Sequence, residues 1–365
     1  MKEIAVIDAD FIGRKKHRFP NLCCMKISGY YKAYGWDVTL KTDYDGLDAF
    51  HKVYVAKVFT DTPTPKDDLF GDPLDAPNVI KGGTGFYFDN APPLPPQIEH
   101  AMPDYHLYDG VCDFKTYTDY SIGYLTRGCF RHCPFCVNRR SNKVVAHSPL
   151  KEFFDPTRKK ICLLDDNFFG YDGWKDLLLE LRDTGKPFVF KQGLDVRLLD
   201  EEKAALLFTS RYDGDFIFAF DDVKDAPLIE EKIQLMANYL DLSKKRVKFY
   251  VLCGYDRSGR YADDFWERDF QGALDRADLL KRYGCLPYIM RHKNYLLAPP
   301  PYRIRYNRMA DWGNQAQFFL KKSFAEFLDF EKAYRKQRRK KHDDSRRNSQ
   351  VSPTLETHCR MPASR

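Results

Sequence analysis

The order of apolar and polar segments predicts an α/β protein built from two parallel-sheet units. Short runs rich in Val, Ile and Leu alternate with segments whose apolar residues recur at helical spacing. Prolines and glycines separate these runs, as expected for turns. Because strands joined by helices pair in parallel through right-handed crossovers, the alternation predicts an open parallel sheet followed by a partial (β/α)6 barrel.

The first unit is predicted to occupy residues 1–90. Ile4–Asp8 is an apolar strand that ends in acidic residues, and a helical pattern runs from about residue 21 to residue 34. Three further strands are predicted at residues 37–40, 53–59 and 79–80. Ligands bind at the carboxyl ends of strands in open parallel sheets. The loop at 8–13 and the glycine turn at 82–85 are therefore candidate binding segments.

A proline-rich segment at residues 91–119 is predicted to be an extended linker, and residues 120–295 are predicted to form the second unit. Its six strands are predicted at residues 121–126, 160–165, 187–192, 215–220, 247–253 and 286–290. Its five helices are predicted at residues 149–155, 173–183, 200–209, 226–239 and 268–283. A loop and a helix follow at 296–333, and the charged residues 334–365 are predicted to be disordered.

Three cysteines cluster in the segment SIGYLTRGCFRHCPFCVNRR, just after the predicted strand at 121–126 with which the segment begins. Cys129, Cys133 and Cys136 have the spacing C-x3-C-x2-C, so their thiolates can bind one face of a compact metal centre. A structural zinc site has four protein ligands, but no fourth Cys or His follows at a matching distance, and His132 would point away from the thiolates. An iron–sulfur cube held by three cysteines leaves one iron open to a small molecule. A zinc knuckle, or three unrelated thiols, is the alternative interpretation.

This loop, with Phe135 immediately before its last cysteine, resembles the cluster loop of the radical S-adenosylmethionine (SAM) superfamily. The resemblance implies that Cys129, Cys133 and Cys136 ligate a [4Fe–4S] cluster whose open iron chelates SAM, and that Phe135 contacts the adenine. It also implies an enzyme that reductively cleaves SAM to a 5′-deoxyadenosyl radical for C–H activation of a substrate. An external electron donor of the flavodoxin or ferredoxin type is implied as a partner.

Polar residues follow the next two strands, and there the sequence resembles the branch of this superfamily that carries a cobalamin-binding-type domain. In the segment DDNF, the carboxylates of Asp165 and Asp166 suit the ammonium group of SAM. In the segment QGLDVR, Gln192 is assigned to the ribose hydroxyls and Arg197 to the methionine carboxylate. The structural alternatives are an acidic helix-capping turn and a salt bridge from Arg197 to a neighbouring aspartate. Two further cations compete with Arg197 for its role: Lys191 and Arg211.

The start of the chain is similar to the Rossmann-like, cobalamin-binding-type domain of that branch. The segment Asp8–Gly13 has the outline of the signature D-x-H-x-x-G, but Asp10 stands where the metal-ligating histidine would be. Cobalamin bound without a protein ligand, a domain that has lost the cofactor, and a substrate-binding loop are the three alternatives. Bound cobalamin would imply a cobalamin-dependent radical SAM methyltransferase. A methylthiotransferase is disfavoured because its three additional cluster cysteines have no matching pattern here.

Composition limits the environment and the partners of the chain. No run of about 18 apolar residues is present, which predicts no membrane span. The N-terminus lacks a signal-peptide pattern, so a cytoplasmic location is predicted. From Lys321 onward the chain has 13 Lys or Arg and 6 Asp or Glu, which equals the formal net charge of +7 for the whole chain. This basic tail is a candidate nucleic-acid contact, and a non-enzymatic metal-binding module with such a tail is the alternative function.

Overall fold

The computed structural model describes residues 2–15, 19–65, 72–112, 114 and 117–334. Over these residues the protein is a mixed α/β structure whose three larger sheets are parallel, which confirms the predicted fold class at this level. None of the helices within these ranges is long and apolar enough to cross a membrane. The tail predicted to be disordered lies, beyond residue 334, outside the described residues.

The first sheet has four parallel strands. They are β1 (Glu3–Asp8), β2 (Asp37–Lys41), β3 (Lys52–Ala56) and β4 (Val79–Gly82), in the spatial order β2-β1-β3-β4. The helices of this part are α1 (Ala9–Gly13), α2 (Leu22–Ala33) and α3 (Thr84–Tyr87). The third strand ends at Ala56 rather than at residue 59, because the backbone N–H groups of Val58 and Phe59 donate to Asp10.

Strand β1 lies in the middle of this sheet and is buried on both faces. Ile4 and Val6 pack against α2, whereas Ala5 and Ile7 pack into a second cluster on the opposite face. A nearly continuous apolar run is typical of a parallel strand that is covered on both sides. The side chain of Asp8 then caps α1 by accepting hydrogen bonds from two backbone N–H groups.

The predicted linker packs onto the first sheet over its described residues. It contains α4 (Pro96–Glu99), whose Ile98 is buried together with Leu107 and Tyr108 in the cluster formed by α2 and β1. The hydroxyl of Tyr108 also donates to Asp8 Oδ2 over 2.8 Å. The apolar residues between the prolines therefore attach this segment to the fold, which differs from the expected extended spacer.

The second part of the chain contains six parallel strands and one antiparallel hairpin. It begins with β5 (Tyr120–Gly123) and the hairpin of β6 (Thr126–Arg127) and β7 (Val145–Ala146). The later strands are β8 (Lys160–Leu163), β9 (Phe188–Phe190), β10 (Phe216–Ala219), β11 (Val247–Cys253) and β12 (Leu286–Arg291). Strands β5-β8-β9 form one sheet and β10-β11-β12 another, and parallel bridges Phe188–Tyr212 and Leu194–Phe218 connect the two.

Helices connect successive strands of this second part. They are α5 (Trp174–Asp183), α6 (Glu201–Phe208), α7 (Ala226–Ala237) and α8 (Asp263–Arg282). The helix expected at residues 149–155 is a single 3-10 turn, Leu150–Glu152. Helix α8 begins five residues earlier than expected, and the acidic residues Asp263 and Asp264 in its first turn favour that start through the helix dipole.

The two faces of the six parallel strands are covered differently. One face packs continuously against the helices in the largest core cluster. On the other face, Ile122 of β5 and Cys162 of β8 pack against Leu22 of α2. Further along the same face, Tyr288 and Met290 of β12 are 43% and 39% exposed. We call the part formed by Tyr250, Tyr288 and Met290 the open tyrosine face.

The C-terminal helices close the core beside β12. They are α9 (Pro300–Gly313), α10 (Ala316–Phe319) and a helix at residues 324–334. Tyr306 and Trp312 of α9 are fully buried, and Phe319, Phe324 and Phe327 join the same cluster. The aromatic residues that recur at helical spacing in this region therefore mainly form a packing surface.

Candidate metal and cofactor site at the cysteine loop

The three cysteines lie in residues 128–144, the cysteine loop, which the hairpin of β6 and β7 holds at its base. Gly128 enters the loop with a positive φ of 95°, and a side chain there would approach the carbonyl oxygen of Lys143 to 2.4 Å. The backbone N–H of Cys129 donates to Ser141 Oγ over 3.2 Å, so the two ends of the loop are joined across it. The glycine therefore permits a close approach that any other residue would strain.

Cys129, Cys133 and Cys136 are all free thiols of intermediate exposure. A turn joins the last two, since the N–H of Cys136 donates to the carbonyl of Cys133 over 2.9 Å. His132 has a positive φ of 51°, and its Nδ1 lies 2.8 Å from the carbonyl oxygen of Arg139. As placed, no three Cys, His, Asp or Glu side chains in the described residues form a group that could hold one metal ion. The loop thus presents three thiols without a preassembled metal site.

Two asparagines contact sulfur atoms of the loop. The Nδ2 atom of Asn167 lies 3.4 Å from Cys129 Sγ, and the backbone N of Asn138 lies 3.4 Å from Cys136 Sγ. Burial raises the pKa of the Cys136 thiol, and the hydrogen bond from Asn138 opposes that rise. N–H groups directed at thiol sulfur favour the thiolate form that a metal requires.

The carboxylate of Asp165 is occupied by the backbone that leads into the loop. Its two oxygens accept hydrogen bonds from the N–H of Leu125 over 3.2 Å, and from the N–H and hydroxyl of Thr126 over 2.7 Å each. Burial raises the pKa of Asp165 to about 7, and the Thr126 and Leu125 hydrogen bonds oppose the rise. Asp165 is 98% buried, so its carboxylate contacts other groups of the protein and not solvent.

The neighbouring carboxylate, Asp166, fixes the loop from the inside. Its Oδ2 accepts the N–H of Gly128 over 2.8 Å, and its Oδ1 accepts Asn138 Nδ2 over 2.7 Å. Arg127 Nε lies 3.6 Å from the same carboxylate. Both aspartates of the DDNF segment therefore shape the cysteine loop, and their role toward a SAM ammonium group stays a prediction.

The residues after β9 form a small charged group beside the loop. Arg197 donates to both oxygens of Asp195, over 2.7 Å and 3.2 Å, and Arg131 of the cysteine loop donates to Asp195 Oδ2 over 2.6 Å. The salt bridge considered for Arg197 is thus present. Gln192 is exposed at the end of the same strand. The competing cation Arg211 donates instead to the carbonyl of Gly185.

The last strands also reach the cysteine loop. The Phe135 ring makes an edge contact with Tyr255 after β11, at 5.6 Å between centroids, and Tyr255 in turn contacts His292 after β12. Burial and the nearby charge of Asp221, which follows β10, raise the pKa of the Cys133 thiol, while Arg197 opposes the rise. Residues that follow β8, β9 and β11 therefore contact the loop, as expected if the carboxyl ends of these strands meet at one edge.

The first sheet contacts the far end of the cysteine loop through one carboxylate. Asp89, which follows α3, forms ion pairs with Arg139 and with Arg140, the latter over 3.1 Å. The Arg139 guanidinium also lies 5.2 Å from the ring centroid of Phe88. Both arginine side chains are exposed to solvent, whereas only 6% of the Asp89 side chain is exposed. The glycine-turn region of the first unit is therefore directly joined to the cysteine loop.

The candidate cobalamin segments make contacts within the protein chain. Asp10 is fully buried and accepts hydrogen bonds from the N–H of Val58 over 2.6 Å and from the hydroxyl of Thr62. In the glycine turn, the N–H of Gly85 donates to the carbonyl of Lys57 over 2.8 Å, and Gly83, at a φ of 98°, packs against the same carbonyl. These residues do not fit a lower axial ligand for cobalamin.

Sequence reasoning missed the polar residues that hold the loop. Asn138, Ser141 and Asn167 all contact the loop or its sulfur atoms, and Asp89 reaches it from a distant segment. The only sequence signal was local: Asn138 lies two residues after the last cysteine, and Asn167 is the third residue of the DDNF segment. For Ser141 and Asp89 no sequence pattern pointed to the contact.

Comparison with known protein families and with curated proteins found no match for this sequence.

Proposed function

We propose that the protein is a radical SAM enzyme that binds a [4Fe–4S] cluster at Cys129, Cys133 and Cys136. In this proposal the six consecutive parallel strands are a partial (β/α)6 barrel, and the first sheet is a Rossmann-like domain. The cluster would lie at the carboxyl ends of the barrel strands, where enzymes of barrel architecture place their active sites.

One observation carries the proposal. A loop with the spacing C-x3-C-x2-C, in which all three thiols are free, is contacted by residues that follow β8, β9 and β11. Thiols are the ligands that iron–sulfur clusters require. A partly buried loop with N–H groups directed at two of its sulfur atoms supports such a cluster better than an isolated surface zinc knuckle.

Different residues are assigned to the binding of the cluster and to the binding of SAM. When bound, the cluster would supply the electron that splits the sulfonium of SAM and yields the 5′-deoxyadenosyl radical. The three cysteines hold the cluster, and the Phe135 ring, supported by Tyr255, offers an apolar face for adenine. Gln192 is assigned to the ribose and Arg197, in its pair with Asp195, to the carboxylate of SAM. Asp165 and Asp166 act by fixing the loop that carries the ligands.

The substrate would lie against the open tyrosine face. This face belongs to the same strands whose carboxyl ends support the cysteine loop. Tyr288 and Met290 are exposed on it, and Tyr250 is half-buried beside them. The rings of Tyr250 and Tyr288 contact each other at 5.7 Å between centroids. A partly exposed aromatic surface of this kind suits a substrate with an apolar or planar body.

Anaerobic reconstitution with iron and sulfide tests the cluster. We expect about four iron atoms per chain and the absorption of a [4Fe–4S] centre. Cys129→Ala, Cys133→Ala and Cys136→Ala should each lose most of the iron. Cys285→Ser, which removes a buried thiol remote from the loop, should retain it. Binding of zinc in place of iron, or equal iron in all variants, would contradict the proposal.

A second assay tests the reaction class. The reconstituted protein, incubated with SAM and dithionite, is expected to release 5′-deoxyadenosine and methionine, and Cys133→Ala should release neither. A loaded [4Fe–4S] protein that releases no 5′-deoxyadenosine would favour the non-enzymatic metal-binding alternative.

A further inference from the structure

The side chain of Asn167 stands out within the site because one of its polar atoms has no hydrogen-bond partner among the residues that the structure describes. The residue is 98% buried, and its Oδ1 atom accepts no hydrogen bond from the described residues. Its Nδ2 atom lies 3.4 Å from Cys129 Sγ. Buried amide groups in native proteins are nearly always satisfied. This amide is therefore held next to a thiol at a cost that its own surroundings do not offset.

The local backbone offers Asn167 another use that it does not take. Asn167 immediately precedes the 3-10 helix Phe168–Gly170, a position where asparagine side chains usually cap the following N–H groups. Here the side chain makes no capping hydrogen bond. The backbone carbonyl of Asn167 accepts the N–H of Gly170 over 2.9 Å, so the turn is closed without the side chain. The amide is thus directed to the cysteine loop instead.

Packing restricts the amide to this orientation. Phe168 is fully buried and Phe169 nearly so, which anchors the turn that follows. On the other side, Asp166 holds the loop through Gly128 and Asn138. The amide and Cys129 therefore meet between two segments, one anchored by buried aromatic residues and the other held by hydrogen bonds to Asp166.

We propose that Asn167 is a positioning residue for the cluster, whose side-chain N–H donates a hydrogen bond to the sulfur of Cys129 and raises the reduction potential of the cluster. This inference rests on the proposed function. A hydrogen bond to a ligating sulfur withdraws negative charge from the cluster and so stabilises its reduced form. The Oδ1 atom of the same amide has no partner among the described residues, as expected if the amide is kept for its N–H group and not for its oxygen.

The test is a redox titration of the reconstituted full-length protein, with dithionite as reductant and electron paramagnetic resonance as readout. We expect the potential of Asn167→Ala to be more negative than that of the unmodified protein. Asn167→Asp keeps the shape and the oxygen but loses the N–H and adds a negative charge, so its potential should be the most negative of the three. Asn238→Ala, an exposed residue at the end of α7, is the matched control and should leave the potential unchanged.

A second readout detects the hydrogen bond itself. In the unmodified protein, exchange into deuterium oxide should shift an Fe–S(Cys) stretching frequency in the resonance Raman spectrum, and this shift should shrink in Asn167→Asp. Because that variant is isosteric, it serves if Asn167→Ala fails to fold.

Three outcomes separate the two proposals. A wild-type chain that assembles no four-iron cluster overturns the proposed function. A normal cluster whose potential is the same in the unmodified protein and in Asn167→Asp overturns the inference about Asn167 alone. Loss of iron from Asn167→Asp but not from Asn238→Ala, with an unchanged melting temperature, supports a positioning role.

Discussion

Two sheet edges in this molecule carry candidate ligand-binding loops, and they differ in how far the chain satisfies their polar groups. At the edge of the first sheet, Asp10 accepts three hydrogen bonds from the segment 58–62, and the glycine turn bonds to Lys57. At the edge of the second part, three thiols are free and the Oδ1 atom of Asn167 has no hydrogen-bond partner within the part of the chain that the structure describes. The strand-loop-helix order is thus common to both edges. At the first edge the polar groups of the loops are hydrogen-bonded within the protein, whereas at the second edge the Asn167 oxygen has no such bond from the described residues.

This difference distinguishes a carboxylate with a structural role, Asp10, from polar groups that are candidates to bind a ligand, which are the three thiols and Asn167. A buried group whose hydrogen bonds are complete adds stability, whereas residues kept for a ligand usually reduce it. Stability measurements on matched variants at the two edges therefore test the distinction directly.

The largest effect is expected for Asp10→Ala at the first edge. The change leaves two backbone N–H groups and the Thr62 hydroxyl without their acceptor, so the free energy of unfolding should fall by about 3 kcal/mol. Urea denaturation gives this value, and Asp48→Ala, an exposed aspartate of the same unit, should stay within about 0.5 kcal/mol of wild type. An unchanged stability for Asp10→Ala would show that these three hydrogen bonds do not stabilise the fold and would remove the contrast between the two edges.

At the second edge, Asp166→Ala should have a mixed effect. It removes the acceptor of Gly128 and of Asn138, so the free energy of unfolding should fall by about 2 kcal/mol. The reconstituted variant should also lose iron faster than the wild type during gel filtration, because the loop that holds the cysteines is released. Asp172→Ala, an exposed aspartate in the adjacent turn, is the control. Stable iron binding in Asp166→Ala would show that the loop does not depend on this carboxylate.

A smaller, pH-dependent effect is expected at the base of the loop, where His147 follows β7. Its ring stacks on His100 and lies 3.4 Å from Glu99, which also pairs with the buried Lys26. Burial lowers the pKa of His147 to about 4, while Glu99 opposes the shift. Since the unfolded chain takes up this proton first, the contribution of His147 to stability is complete above pH 6.5 and is lost as the pH falls toward 4.

Thermal melting at pH 5 and pH 7.5 measures this dependence. The melting temperature should fall less between pH 7.5 and pH 5 for His147→Gln than for the wild type. His106→Gln, which changes an exposed histidine, should behave like the wild type. An equal fall in melting temperature between pH 7.5 and pH 5 in all three proteins would exclude His147 as the source of the pH dependence.

The smallest effect on stability is expected for Asp89→Ala, which removes the ion pairs between the first unit and the cysteine loop. Its partners Arg139 and Arg140 are 41% and 62% exposed, so the free energy of unfolding should fall by less than about 1 kcal/mol. Amide hydrogen exchange at residues 136–141 should nevertheless become faster. Asp75→Ala, which removes the exposed ion pair with Lys81, should leave that exchange unchanged.

Most strands and helices could be predicted because their apolar residues recur over several turns or pleats. Strand β11 has the predicted bounds, and Asp200 caps α6 as expected. The hairpin of β6 and β7 was missed because two-residue strands carry no periodicity. The burial of the linker was missed because Ile98 and Leu107 are spaced irregularly among prolines.

The candidate site was predictable only where the sequence itself displays the chemistry. The cysteine spacing is visible in the sequence, and so are the acidic residues of the DDNF segment. Their acceptor roles were not visible, because the donors are backbone N–H groups of Leu125, Thr126 and Gly128, which every sequence contains. Contacts such as that of Asp89 with Arg139 depend on how two sheets meet, and no local pattern encodes that.

The contact of Leu22 with Ile122 and Cys162 has a consequence for how the protein can be divided. A fragment beginning at residue 120 would expose this apolar surface to water, together with the groove left by Tyr105 and Tyr117. Such a fragment should aggregate, and the intact protein should melt in one cooperative transition. The two units are therefore not expected to be stable separately, and the cysteine loop has to be studied with residues 1–119 attached.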